Sequence, residues 1–163
     1  MEKAIIAVRA ALRPLESVFL AYKNDALNYV HFNPKIDMEK TTVYSGRGGA
    51  TLLTLENAES AYGSPSNEGD VTEYELKALR ALASVWERYM TNDLDDEARR
   101  YWGKDCETNP ENRTYSEAKP EDVVLISTRS GSEIVTLADA YAAYKANLGF
   151  IIASNKDVLA PAE

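Results

Sequence analysis

A capped amphipathic segment near the middle of the chain constrains the fold more than any other feature. Thr72-Glu73-Tyr74-Glu75 has the spacing of a capping box. There the threonine hydroxyl accepts from a first-turn amide, and the glutamate carboxylate accepts from the threonine's own amide. Behind it Leu76, Leu79, Ala83, Trp86 and Met90 recur at steps of three and four, widened by Leu82 and Tyr89. Apolar residues at that spacing share one face of a helix. The pattern predicts a helix over 72–91, with Trp86 on the core-facing seam. A helix with one apolar face needs a second layer to cover it, so the rest of the chain must supply one.

The remaining segments supply helices and short strands. Ile5, Val8, Leu12, Leu15, Phe19, Tyr22, Ala26 and Tyr29 form a helical stripe over 3–31 that ends at Asn33-Pro34. Pro14 should kink that helix or open a second one, since it lacks an amide donor. Thr41–Ser45 reads as a strand running into a glycine-rich turn, and 50–62 fits either a strand or a short helix. Residues 63–69 read as a polar loop, Asn92 or Asp93 as the cap of a short helix reaching Trp102, and 103–120 as an irregular connection. Asp122–Thr128 reads as a buried strand with a hairpin partner at Glu133–Val135. Thr136 and Asp139 then cap a helix with Leu137, Tyr141, Tyr144 and Leu148 inside, ended by Gly149. Phe150–Ala153 is expected as a last strand. Without strict alternation of strand and helix, the fold class is α+β: about four to five helices packed on a small sheet of three to five short strands. A single domain over 1–155 with a frayed tail over 156–163 is expected, with no internal repeat.

Composition narrows the function classes. At 163 residues, 45% hydrophobic and 27% charged, the chain can bury a core without staples. Cys106 and His31 are the only cysteine and histidine, so no intrachain disulfide forms and a structural zinc site lacks ligands. The N-terminal stretch is broken by Arg9, Arg13 and Pro14, unlike a secretory signal. No window reaches the roughly 18 apolar residues of a membrane span. The expected location is the cytoplasm of a cell or infected host. Net charge is −8, from 26 acidic and 18 basic residues. Acids and bases interleave, as in Glu87-Arg88, so the charge reads as solubility. Direct nucleic-acid binding is not expected, because it needs clustered Lys and Arg.

Each chemical motif has a plainer reading. Ser45-Gly46-Arg47-Gly48-Gly49 has the glycines of an anion nest but neither the phosphate-loop ending nor the dinucleotide fingerprint, which favours a tight turn. Asp93, Asp95, Asp96 and Glu97 fail the EF-hand pattern at Ala98 and suit a helix start. His31 and Cys106 lie in no nucleophile context. No metal and no cofactor is therefore expected.

Val43-Tyr44-Ser45-Gly46, Thr54-Leu55-Glu56, a tryptophan and Gly131-Ser132-Glu133 follow one another along the chain. That order resembles the motif order of ADP-ribosyl cyclases and NAD glycohydrolases. The resemblance implies an NAD-cleaving enzyme with Glu133 and Glu56 as acids and Trp86 or Trp102 stacked on the nicotinamide. Tyr44 stands where that family has a tryptophan, and Trp86 lacks the serine that follows it there. The leading expectation is a non-catalytic protein-binding or assembly protein of accessory, inhibitor or immunity type, bacterial or phage. Ten tyrosines and two tryptophans on an acidic chain suit an aromatic patch facing a basic protein partner, or a second copy in a homo-oligomer. Arg47, Tyr101 and Trp102 are the expected anchors.

Overall fold

The computed structural model describes residues 2–27, 30–46, 49–63, 71–90 and 123–159. In chain order these form α1 (Glu2–Lys23), β1 (Thr42–Ser45), β2 (Thr51–Thr54), α2 (Leu55–Tyr62), α3 (Glu73–Met90), β3 (Val124–Ser127), β4 (Glu133–Thr136) and α4 (Leu137–Leu159). The architecture is α+β, and its strands form two antiparallel hairpins, β1–β2 and β3–β4. Arg47, Tyr101, Trp102 and Cys106 lie outside the described residues, as do the acidic run at 93–97, the loop from Ser64 and the connection over 103–120.

The two halves of the chain are one unit built twice, which corrects the expectation of no repeat. Each runs helix, hairpin, helix. The hairpins share one register, Thr42↔Thr54, Tyr44↔Leu53 and Ser45↔Thr51 against Val124↔Thr136, Ile126↔Val135 and Ser127↔Glu133. Aligning the sequence on that register pairs Ser45 with Ser127, Gly49 with Gly131, Thr54 with Thr136, Leu55 with Leu137, Ala58 with Ala140 and Tyr62 with Tyr144, without a gap. In the leading helices Ala11-Leu12-Arg13 matches Ala78-Leu79-Arg80, followed by Leu15/Leu82, Ser17/Ser84, Val18/Val85 and Tyr22/Tyr89. Gly49 and Gly131 have φ of 82° and 89°, a region open to glycine at no steric cost, which turns each hairpin. The units pack reciprocally. α1 lies on α2 and on α4, while α3 lies on α4 and on α2. Their buried residues form one core.

Local chemistry sets the helix boundaries. α2 starts at a capping box, with the Thr54 amide donating to Asn57 Oδ1 at 2.9 Å and the Asn57 amide to Thr54 Oγ1 at 3.3 Å. The ambiguous stretch 50–62 is thus a strand followed directly by a helix. α3 starts as expected, with the Thr72 amide donating to Glu75 Oε1 at 2.9 Å and the Glu75 amide to Thr72 Oγ1 at 3.1 Å. At α4 the Thr136 amide donates to Asp139 Oδ2 at 2.8 Å.

Several expected details are corrected. α1 runs unbroken through Pro14. Val8, Leu12, Leu15 and Val18 are buried on both sides of it, and four such burials at about 1.5–3 kcal/mol each outweigh a proline cost of about 3 kcal/mol. The helix stops at Lys23, short of 31, because Asp25 turns left-handed at φ 52°. The Asp25 amide donates to the Tyr22 carbonyl and the Ala26 amide to the Ala21 carbonyl, the two bonds of a Schellman ending.

On α3 the buried face is Glu75, Ala78, Leu79, Leu82, Ala83, Val85 and Tyr89, which keeps Leu79, Leu82, Ala83 and Tyr89 of the expected seam and is rotated toward Glu75 and Val85. Leu76 and Trp86 are half-buried and Met90 is exposed. β3 is only partly buried, through Ile126 and the preceding Val123. Gly149 does not end α4, and Phe150–Ala153 is helix, not strand. One interior glycine costs only about 1 kcal/mol, and no turn-forming pair follows it. The inner face of α4 is Leu137, Ala140, Ala143 and Ala146, with Tyr141 and Leu148 exposed. This alanine-rich face packs on α1 and α3.

Candidate functional site

The duplication creates two equivalent grooves of different character, each between the leading helix of one unit and the trailing helix of the other. The first, of about 470 Å³, lies between α1 and α4 and is lined chiefly by Ala7, Ala10, Pro14, Ala142, Ala146 and Gly149. The second, of about 400 Å³, lies between α3 and α2 and is lined by Glu39, Glu56, Asn57, Lys77, Arg80 and Ala81, among others. Ala10 of the first groove corresponds to Lys77 of the second, Pro14 to Ala81 and Asp139 to Asn57. The first groove is mostly apolar, with Asp139 and Lys145 also in its lining, whereas Glu39, Glu56, Lys77 and Arg80 give the second more charge.

Side-chain partners define the charged groove. Lys77 Nζ lies 3.8 Å from Glu56 Oε1, tying α3 to α2. The first-turn amides of α2 are all used within the fold. Leu55 donates to the Thr41 carbonyl and Glu56 to the Met38 carbonyl, and Asn57 donates to Thr54 Oγ1. The helix end therefore offers no amide to a ligand, and any recognition falls to side chains. Asn57 is 8% exposed, and its Oδ1 accepts from both the amide and the hydroxyl of Thr54.

α4 carries the other notable surface. Its counterpart α2 ends at Tyr62, equivalent to Tyr144, whereas α4 continues to Leu159. On this extension Leu148, Ile151 and Ile152 are 43%, 42% and 57% exposed. Leu148 and Ile152 stand one turn apart, in line with exposed Tyr141. The Asn147 Oδ1 acceptor in the same stretch is buried without a partner. Tyr141 packs at a tilt against half-buried Trp86, 4.5 Å between ring centroids, and carries Lys145 Nζ over its face at 4.5 Å.

The described residues picked from sequence occupy separate neighbourhoods. Glu56 pairs with Lys77 in the charged groove. Trp86 packs in tilted ring contacts with Tyr89 and Tyr141, between α3 and α4. Glu133 is exposed at the start of β4, opposite Ser127. Thr54-Leu55 starts α2 as Thr136-Leu137 starts α4, so this dipeptide has a capping role in both units. Gly46 and Gly49 close the first hairpin, through Gly46 amide to Ala50 carbonyl and Gly49 amide to Gly46 carbonyl, which is the tight turn expected.

His31 belongs to a clasp between units that the sequence did not reveal. Arg129 Nη2 lies 2.6 Å from His31 Nδ1 and 3.2 Å from Asp25 Oδ1, while the Arg129 amide donates to the Ala26 carbonyl. The Phe32 amide donates to Asp25 at 2.9 Å. That bond, with the Arg129 charge, holds the Asp25 carboxyl below its ordinary range against a smaller opposing effect of desolvation.

Among the described residues no group of three His, Cys, Asp or Glu side chains is placed to hold a metal ion, and no helix is long and apolar enough to cross a membrane. Comparison with protein-family models, curated proteins and solved structures finds no match.

Proposed function

We propose that this chain is a non-catalytic contact protein, of accessory, inhibitor, immunity or assembly type and of bacterial or phage kind, acting in the cytoplasm of a cell or infected host. It docks a protein partner through the outer face of the α4 extension. The observation that carries this reading is the exposed trio Leu148, Ile151 and Ile152. It lies on helical turns that the other unit completes its fold without. Apolar side chains grouped beyond what a core requires mark an interaction surface. The neighbouring Tyr141 and Trp86 are residue types that dominate binding energy when a partner excludes water from them.

The charge of −8 selects the partner's character. Two copies repel at long range, while a protein with a basic rim around an apolar groove is steered inward. A homo-oligomer is the competing outcome.

The test compares the wild type with an Ile151→Glu/Ile152→Glu variant and a Tyr74→Glu control, which changes an exposed residue at the start of α3. Immobilised chain is exposed to extract from the native source, and light scattering reports its own mass. Capture by wild type and control, weakened about tenfold or more in the α4 variant, supports the reading. Undiminished capture by the α4 variant removes α4 as the surface. A chain that stays monomeric and captures nothing removes the contact reading altogether.

A further inference from the structure

We propose that His31 is a proton switch in the clasp between the two units: a proton gained on Nδ1 ejects the Arg129 guanidinium and hands the Asp25 carboxylate to the imidazolium. The inference goes beyond the contact reading and stands without it. It rests on the donor and acceptor roles at one short contact. Arg129 Nη2 lies 2.6 Å from His31 Nδ1. A guanidinium has donors only, so Nδ1 must present its lone pair and the ring proton must sit on Nε2. A proton on Nδ1 would set two donors face to face at that distance, each on a positive group. The contact therefore exists only with the neutral ring.

The third member of the clasp gives the protonated ring a partner. Asp25 Oδ1 accepts from Arg129 Nη2 at 3.2 Å and already lies 3.8 Å from His31 Nδ1. The imidazole is 80% exposed, so it is free to turn and close that pair. Asp25, from the end of α1, and Arg129, from the turn between β3 and β4, are the charged groups in contact with His31 among the described residues. Asp25 does not titrate with the ring. The Phe32 amide and the Arg129 charge hold its carboxyl below its ordinary range, so it stays ionised over the range, about pH 5–8, in which histidines change charge. What the switch releases is a side-chain strut between units, for Arg129 Nη2 also reaches the Val30 carbonyl at 3.5 Å. The backbone anchors beside it, from the Arg129 amide to the Ala26 carbonyl and at the Leu27–Thr128 bridge, use no titratable group and remain. Acidification thus frees the Arg129 side chain without parting the units.

The experiment follows the His31 ring and Arg129 guanidinium signals of the isotope-labelled full chain by NMR, from about pH 8 down to about pH 5. His31 is the only histidine, so its ring signals are unambiguous. At the upper end the ring nitrogens should report the Nε2–H tautomer. On acidification the Arg129 signals should move with the same midpoint as the ring, and the Arg129–His31 contact should fall about tenfold for each pH unit below it, the dependence of a one-proton event. His31→Gln has no titrating group at this position, and there the Arg129 signals should stay flat over the same range. The proposal is overturned by an Nδ1–H tautomer at the upper end, or by Arg129 signals that do not follow the His31 midpoint. An undiminished Arg129 titration in His31→Gln overturns it equally.

Discussion

Replacing Glu75 with valine removes a fully buried carboxylate that does two jobs at once. Its Oε1 accepts from the Thr72 amide at 2.9 Å, capping α3, and its Oε2 accepts from Arg9 Nε at 3.3 Å, joining α3 to α1. The Glu75 side chain is 0% exposed and that of Arg9 13%. Losing the cap costs about 1 kcal/mol. Leaving a buried guanidinium without its carboxylate costs about 3–5 kcal/mol, toward the lower end here because Arg9 has a further partner. Glu75→Val should therefore lose on the order of 4 kcal/mol, a large part of the 5–15 kcal/mol typical of a domain, and Tm should fall by about 10 °C.

The duplicated unit supplies the rescue. Val8 and Leu76 occupy the positions equivalent to Glu75 and Arg9. An Arg9→Leu/Glu75→Val double variant swaps the ion pair for the apolar pair that the other half already uses. Buried ion pairs replaced in this way are often neutral or better. The double variant should recover all but the lost cap, with a coupling of about 2–3 kcal/mol. Urea unfolding of wild type, both single variants and the double variant, read at constant slope, measures that coupling. Additive losses would refute the reasoning, since they would mean that the two side chains do not depend on each other.

Three further outcomes are expected. Pro14→Ala restores an amide donor inside α1 and gives the residue found at the equivalent Ala81, so stability should rise by about 1–3 kcal/mol; a fall in Tm would show that the ring's packing matters more. Asp25 has a folded-state pKa below its unfolded value, so its contribution is present above the ordinary carboxylate pKa of about 3.9 and is lost as pH falls through the depressed value. Asp25→Asn, which tolerates the left-handed backbone, should flatten the acid side of the stability–pH curve, and an unchanged acid slope would exclude the clasp as its source. Nicotinamide release from NAD should stay at the buffer rate for wild type and Glu133→Gln alike; release that disappears in the variant would replace the contact reading with the NAD-cleaving one.

The sequence by itself determined the elements whose signals are local. Capping boxes need residues three apart, and both Thr72/Glu75 and Thr136/Asp139 placed their helix starts correctly. Hairpin turns need glycine at fixed offsets, and Gly49 and Gly131 supplied them. Only the tertiary structure decided what long-range packing controls. Burial on both sides of Pro14 kept α1 whole, and the absence of a stop after Gly149 let α4 run on. Docking between units turned the α3 face toward Glu75, a charged residue that the hydrophobic pattern assigned to solvent. The repeat itself was written in the sequence as Ala-Leu-Arg and Thr-Leu pairs, but the helix-to-hairpin connections differ between halves and hid the alignment until the hairpin registers coincided. The two grooves could be compared only then, because each is formed by one helix from each unit, and a pairing between units leaves no trace in local spacing.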